Sequence, residues 1–265
     1  MTQKQILFYL GVILFLLAVM VGIMILMQLP ARAVAFNPIP SATVTLTPTK
    51  TAIPQPTNTP TPQPTVVSQE TTTTTPTVIA YPDSFYITDI IGHRQYYSIG
   101  CEASDAVDWA GYFDVTILEY NFQTSLPHSD YPDYGFVWDV NSLWGQIPPY
   151  AYGVYAGPVA DLLVEYGLPA RSVKNYTLDQ MKQKLSESKP IIVWVIGNIE
   201  WSPATEYTDS QGRTTLVAAY EHVVILTGYD TDLIRYMSNG KFYDTPTDVF
   251  LNSWGVLGNM AVIHD

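Results

Sequence analysis

One cysteine, Cys101, stands in 265 residues, so an internal disulfide framework is excluded. Basic charge is scarce too. The chain has 12 Lys and Arg against 24 Asp and Glu, a net charge of -12, which argues against a nucleic-acid partner. None of the 4 histidines pairs with another at metal-ligand spacing, so neither a metal nor a cofactor is expected. Charge is missing altogether between Ile6 and Leu29, where Gln28 is the lone amide.

That uncharged run is long enough to cross a bilayer, at about 20 residues per span. It also exceeds the roughly 7–15-residue core of a signal peptide, so a retained anchor over residues 6–29 is the expectation. Ala31-Arg32-Ala33 and Ala33-Val34-Ala35 have small-x-small cleavage character and carry the alternative of a removed signal peptide. The short head 1–5 favours an inside N-terminus. The expected setting is the cell membrane, single-pass, with an extracytoplasmic C-terminal domain. Residues 30–80 read as a disordered spacer: between Ser41 and Ala80 there are 15 Thr and 7 Pro, with Lys50 and Glu70 the sole charges. Such a composition cannot bury enough apolar surface to offset its ordering entropy, and its Thr-Pro steps favour extended polyproline II.

Residues 81–265 are long enough for one full core. After Gly100, Ala103, Ala106, Val107 and Ala110 recur at spacings of three and four, which predicts a helix with Cys101 in its first turn. Asn121 to Tyr152, rich in Tyr, Pro, Asp and Gly, reads as loops. Pro158 starts a second helix that Gly167 stops. Thr177 and Gln180 form a capping box for a third. Ile191–Ile196 is an apolar run bounded by Pro and Gly, hence a buried strand. Leu216–Tyr220, His222–Thr227, Leu233–Met237 and Met260–Ile263 read as further strands, and Asp248–Trp254 as a short helical turn. The class is α+β, an N-terminal helix carrying the Cys, further helices, and then a mostly antiparallel sheet.

A thiol at a helix start meets free N–H groups and the positive end of the dipole, both of which favour the thiolate. A lone Cys is otherwise a small buried hydrophobe. Gln95, six residues upstream, can bring an amide N–H toward whatever bonds to the sulfur. His222 opens a strand that is apolar on both faces, so its imidazole emerges where that strand surfaces and suits a general base. His93, His128 and His264 compete for the role. Glu102 and Asp105 complement the helix dipole.

The stretches Gln95, Gly100-Cys101-Glu102-Ala103 and Glu221-His222-Val223-Val224 with Gly228-Tyr229-Asp230 resemble the C39-like, papain-like cysteine peptidases. Leu143–Pro149, Tyr152–Ala156 and Phe250–Val262 extend that resemblance across nearly all of residues 86–263. It implies a papain-like fold with Cys101 as nucleophile, His222 as base and Gln95 in the oxyanion hole. The family pattern usually places an Asp after the His, and here the corresponding stretch is Tyr236-Met237-Ser238-Asn239-Gly240. Asn239 is taken as the orienting residue, with Ser238 and Asn252 as alternatives. The function expected is a membrane-anchored peptidase, monomeric and acting on a peptide or protein substrate. The alternatives are a peptide-binding surface module, or an amidase or acyltransferase using the same pair.

Overall fold

The structure is a computed structural model that describes residues 81–265. The chain enters through a short strand, β1 (Phe85–Tyr86), and a loop leads to the helices α1 (Cys101–Tyr112) and α2 (Glu119–Ser125). Successive turns reach α3 (Ala156–Glu165), β2 (Ala170–Val173) and α4 (Leu178–Ser186). Strands then dominate: β3 (Ile191–Ile196), β4 (Thr205–Thr208), β5 (Thr214–Val217), β6 (Glu221–Tyr229), β7 (Leu233–Ser238) and β8 (Lys241–Pro246). The helix α5 (Thr247–Gly255) and the strand β9 (Ala261–His264) finish the domain.

The main sheet runs β2-β9-β3-β6-β7-β8, with β1 also on β6, and every pairing is antiparallel. β4 and β5 form a separate hairpin. Every residue of β3 and β6 is buried, as strands covered on both faces must be. α1 and α4 pack on β6, and α5 on β3 and β7. Val195 of β3 stands opposite His222 and Ile196 opposite Glu221, so the chemistry-bearing end of β6 is pinned by the middle of the sheet.

α1 is buried continuously from Cys101 to Ala110. Its alanines and Ser104 let it lie close to the sheet, and Trp109 anchors its far end by donating Nε1–H to the Pro190 carbonyl at 2.8 Å. α4 carries the expected capping box, with Gln180 N donating to Thr177 Oγ1 at 3.2 Å and Thr177 N donating to Gln180 Oε1 at 2.9 Å.

Some expected boundaries move. Asn121–Tyr152 is not wholly irregular, because α2 overlaps its start. The Leu216–Tyr220 strand begins earlier and ends at Val217, and Tyr220 takes a positive φ of 62° at the turn into β6. β1, β2, β4 and β8 were not expected at all. They are short or polar segments; β1 and β2 pair with strands far away in sequence, while β4 and β8 belong to hairpins with β5 and β7.

The membrane expectation is corrected. Among the described residues no helix is long and apolar enough to cross a bilayer. α1 has 12 residues, which at about 1.5 Å per residue spans roughly 18 Å, well short of a hydrocarbon core of about 30 Å. The single-pass, transmembrane-helix assignment therefore has no support here. The run 6–29 on which it rested, and the spacer 30–80, lie outside the described residues.

Trp109 is fully buried and holds α1 to the start of β3. Trp109→Ala should lower stability by about 3–5 kcal/mol, read as a fall in the urea midpoint with the slope unchanged.

Candidate active site

Cys101 is the first residue of α1, and the chain can turn into it because Gly100 has no side chain. A Cβ at residue 100 would lie 2.9 Å from Tyr97 Cβ and 3.3 Å from Val140 Cγ2. The loop before it is held from outside. His93 Nδ1 lies 2.6 Å from Asp108 Oδ1 and its Nε2 lies 2.8 Å from Glu119 Oε2. The His93 and Tyr96 amides donate to those same two carboxylates, at 2.9 Å to Asp108 Oδ2 and 3.1 Å to Glu119 Oε1. Burial alone would depress the His93 pKa, but its hydrogen bonds to Asp108 and Glu119 outweigh that and raise it above the ordinary histidine value. His93 is thus a clamp for the loop that walls the site.

His222 is the second residue of β6 and is buried. Its Nε2 lies 3.0 Å from Ser238 Oγ, at the end of β7. The Trp144 ring stands edge-on to the imidazole with centroids 6.0 Å apart, and Trp144 Nε1–H donates to the Glu221 carbonyl at 2.8 Å. Burial without a facing carboxylate lowers the His222 pKa to about 4. Asn239 reaches the imidazole only through Ser238, its Nδ2 lying 3.5 Å from Ser238 Oγ, while its Oδ1 accepts the Gln95 N–H at 3.3 Å. Gln95 in turn donates Nε2–H to the Tyr97 and Ser98 carbonyls, at 2.7 and 3.3 Å. Asn252 is exposed on α5, and the Ser253 beside it accepts the Ile196 N–H at 2.9 Å, so the Asn-Ser-Trp run is a packing element.

Cys101, His222, Gln95, Asn239 and Trp144 line one cleft of about 400 Å³. A second hollow of about 320 Å³ shares His222 and Asn239 and is walled by Ser238, Tyr236 and Tyr243. Apart from His222, no Lys, Arg, Asp or Glu side chain lines that second hollow.

Beneath the thiol lie two carboxyls that the sequence reading did not place in the site. Cys101 Sγ–H donates to Glu102 Oε2 at 3.4 Å, and Val154 N–H donates to Glu102 Oε1 at 2.7 Å. Glu221 is also buried, and its Oε1 has no hydrogen-bond partner among the described residues. The Cys101 sulfur and one carboxyl oxygen from each of Glu102 and Glu221 all lie within 4.8 Å of one another. Burial, then Glu102, Glu221 and Asp105, push the Cys101 thiol well above its ordinary pKa. This reverses the expectation from the helix start: the dipole favours a thiolate, but desolvation beside carboxyls outweighs it. The one signal available in the sequence was an acid directly after the Cys and another directly before the His.

Comparison with known proteins settles the family. The model of the Peptidase_C39 like family matches residues 122–262. The chain belongs to that family, and it is a C39-like cysteine peptidase. The match takes in His222, Ser238 and Asn239 but begins after Cys101 and Gln95. Among solved structures, one described as a C39-like peptidase from Bacillus anthracis is 18% identical with a TM-score of 0.62, covering 69% of this chain and 98% of its own. Xylellain, a cysteine protease from Xylella fastidiosa, is 13% identical with a TM-score of 0.39, covering 72% of this chain and 89% of its own. No curated protein matches. The Bacillus anthracis structure supports the α+β, papain-like fold.

Two outcomes are expected of this C39-like domain. Alkylation of Cys101 by a neutral reagent should show a midpoint above the ordinary thiol value of about 8.5, since the shift is upward. The second concerns the His93 clamp. A raised folded pKa means its stabilisation is complete below the unfolded value of about 6.5 and lost as pH rises through the folded one. The melting-temperature gap between wild type and His93→Gln should therefore be widest in mild acid and shrink toward alkaline pH.

Proposed function

We propose that this domain hydrolyses peptide bonds through a thioester on Cys101, with His222 as general base and then general acid. The observation that carries the reading is that Cys101 and His222 share one cleft while Ser238 occupies His222 Nε2, which leaves Nδ1 for the thiol. In the resting site both groups are neutral. The sulfur attacks the peptide carbonyl carbon as its proton moves to His222 Nδ1. The oxyanion forms at the start of α1, where the Cys101 N–H is a free helix-terminal donor. Gln95 can add its amide there only by releasing the Tyr97 and Ser98 carbonyls, so its first role is to brace the cleft wall. The C–N bond then breaks, and the amine leaves with the proton from His222. Water, deprotonated by the same imidazole, cleaves the thioester to a carboxylic acid and restores the thiol.

Ser238 supplies the orienting contact that the family usually draws from an acid. A hydroxyl accepts Nε2–H and sets the tautomer, but stabilises the imidazolium less than a carboxylate does. Asn239 then supports Ser238 and the Gln95 backbone.

Peptide hydrolysis and labelling by a thiol-reactive epoxide test this together. Cys101→Ala should abolish both, and His222→Ala should cost at least about three powers of ten in kcat. The acid limb of the rate should lie at about 4, where His222 becomes neutral, and not near its ordinary 6.5. Ser238→Ala should cost roughly one to two powers of ten and Asn239→Ala less. Epoxide labelling without any hydrolysis across a peptide library would sink the peptidase reading and favour a binding module.

A further inference from the structure

We propose that Glu102 is a positioning residue that holds the Cys101 thiol proton turned away from His222, latching the nucleophile while Glu102 is a carboxylate and releasing it when Glu102 is protonated. This rests on the reading of Cys101 and His222 as the reacting pair. The hydrogen bond of the thiol runs to Glu102 Oε2. A proton committed there is not in line to the imidazole. Glu102 cannot easily turn aside. Its other oxygen takes the Val154 N–H at 2.7 Å, and the carboxylate lies against residue 153 so closely that a Cβ there would collide with Oε1. Gly153 meets that demand, and its φ of 125° is one that side chains rarely adopt.

The surroundings decide when Glu102 carries charge. Asp105 faces it from α1, Glu221 from β6 and the Tyr152 phenol from the segment beside Val154, while the Tyr155 phenol faces Glu221. No basic side chain pairs with Glu102 or Glu221 among the described residues. Arg94 lines the cleft above but makes no bond to either. Burial therefore raises Glu102 to about 7, against the opposing pull of backbone donors and the thiol. Glu221, with an unpartnered oxygen, is pushed well above the carboxylate range and holds its proton. Above about 7 the pair carries one negative charge, on the residue that grips the thiol.

The consequence is an activity window in mild acid. Below about 4 His222 is protonated and cannot act as base, and above about 7 Glu102 is charged and the thiol is latched. Because the chain holds one cysteine, its S–H infrared stretch reports Cys101 alone. In the wild-type protein, with chelator present, that band should shift as pH is raised through about 7, and Glu102→Gln should show no shift. The basic limb of peptide hydrolysis should sit at the same pH and vanish in Glu102→Gln, leaving the variant roughly tenfold less inhibited in mild alkali. If Glu102→Gln fails to fold, the wild-type band decides: a pH-independent band overturns the proposal. A basic limb that survives Glu102→Gln but disappears in His93→Gln overturns it as well, placing the switch in the loop clamp. If the band titrates as expected yet Cys101→Ala still hydrolyses peptide, the reading of the active site has failed, and the thiol contact to Glu102 stands without a catalytic meaning.

Discussion

Everything in this domain depends on burying a helix that carries charge. α1 has Glu102, Asp105 and Asp108 inside the protein together with its nucleophilic candidate. Putting a carboxylate out of water is costly unless hydrogen bonds or a cation replace the solvent, and the three acids are met in three ways. Asp108 receives His93 and its backbone N–H, which turns the charge into a clamp on the loop. Glu102 receives Val154 N–H and the thiol. Asp105 keeps an unpartnered Oδ2, and burial pushes it well above the ordinary range, so it stays a neutral acid. The same helix therefore braces the cleft wall at one turn and sets the protonation of the thiol at another.

That burial also fixes the chemical style of the site. An exposed Cys at a helix start, paired with a His that faces a carboxylate, ionises readily. Here the sulfur sits beside carboxyls, and the buried imidazole has a hydroxyl, not a carboxylate, as its hydrogen-bond partner, so both charged forms are disfavoured. On the proposed mechanism the proton then moves during attack, not before it. This places the weight of catalysis on orientation, on the Ser238 contact and on the direction of the S–H bond, and less on stored charge.

Strong local patterns were legible in the sequence, and weak ones that depend on pairing were not. The alanine spacing of α1, the Thr177–Gln180 box and the apolar run of β3 each stand where they were expected. β2 and β8 escaped because edge strands with polar, half-exposed faces show no burial pattern, and only their neighbours make them strands. β8 did have a signal that was not used. Asn239-Gly240 between two strand-like runs is a two-residue hairpin turn, and both residues have positive φ, at 51° and 69°. Reading it would also have corrected the site. Asn239 is used by the turn, so the last residue of β7, Ser238, is the one whose side chain meets His222.

Glu102 was misjudged for a more general reason. An acid in a first helical turn is ordinarily a solvated complement to the dipole, and nothing local distinguishes one that is buried. Its burial is decided at residue 153, on a segment remote in the chain, where the missing side chain leaves room for a carboxylate. The pattern of charge then acquires a meaning across the whole site. The acid that C39-like sequences usually offer on the imidazole side is a serine here, and acids stand on the sulfur side instead. Moving negative charge from the base to the nucleophile reverses its effect, from promoting the ion pair to restraining it. On the proposed reading, a peptidase arranged in this way holds its nucleophile in reserve above about pH 7, because the restraint is a single hydrogen bond inside the active site.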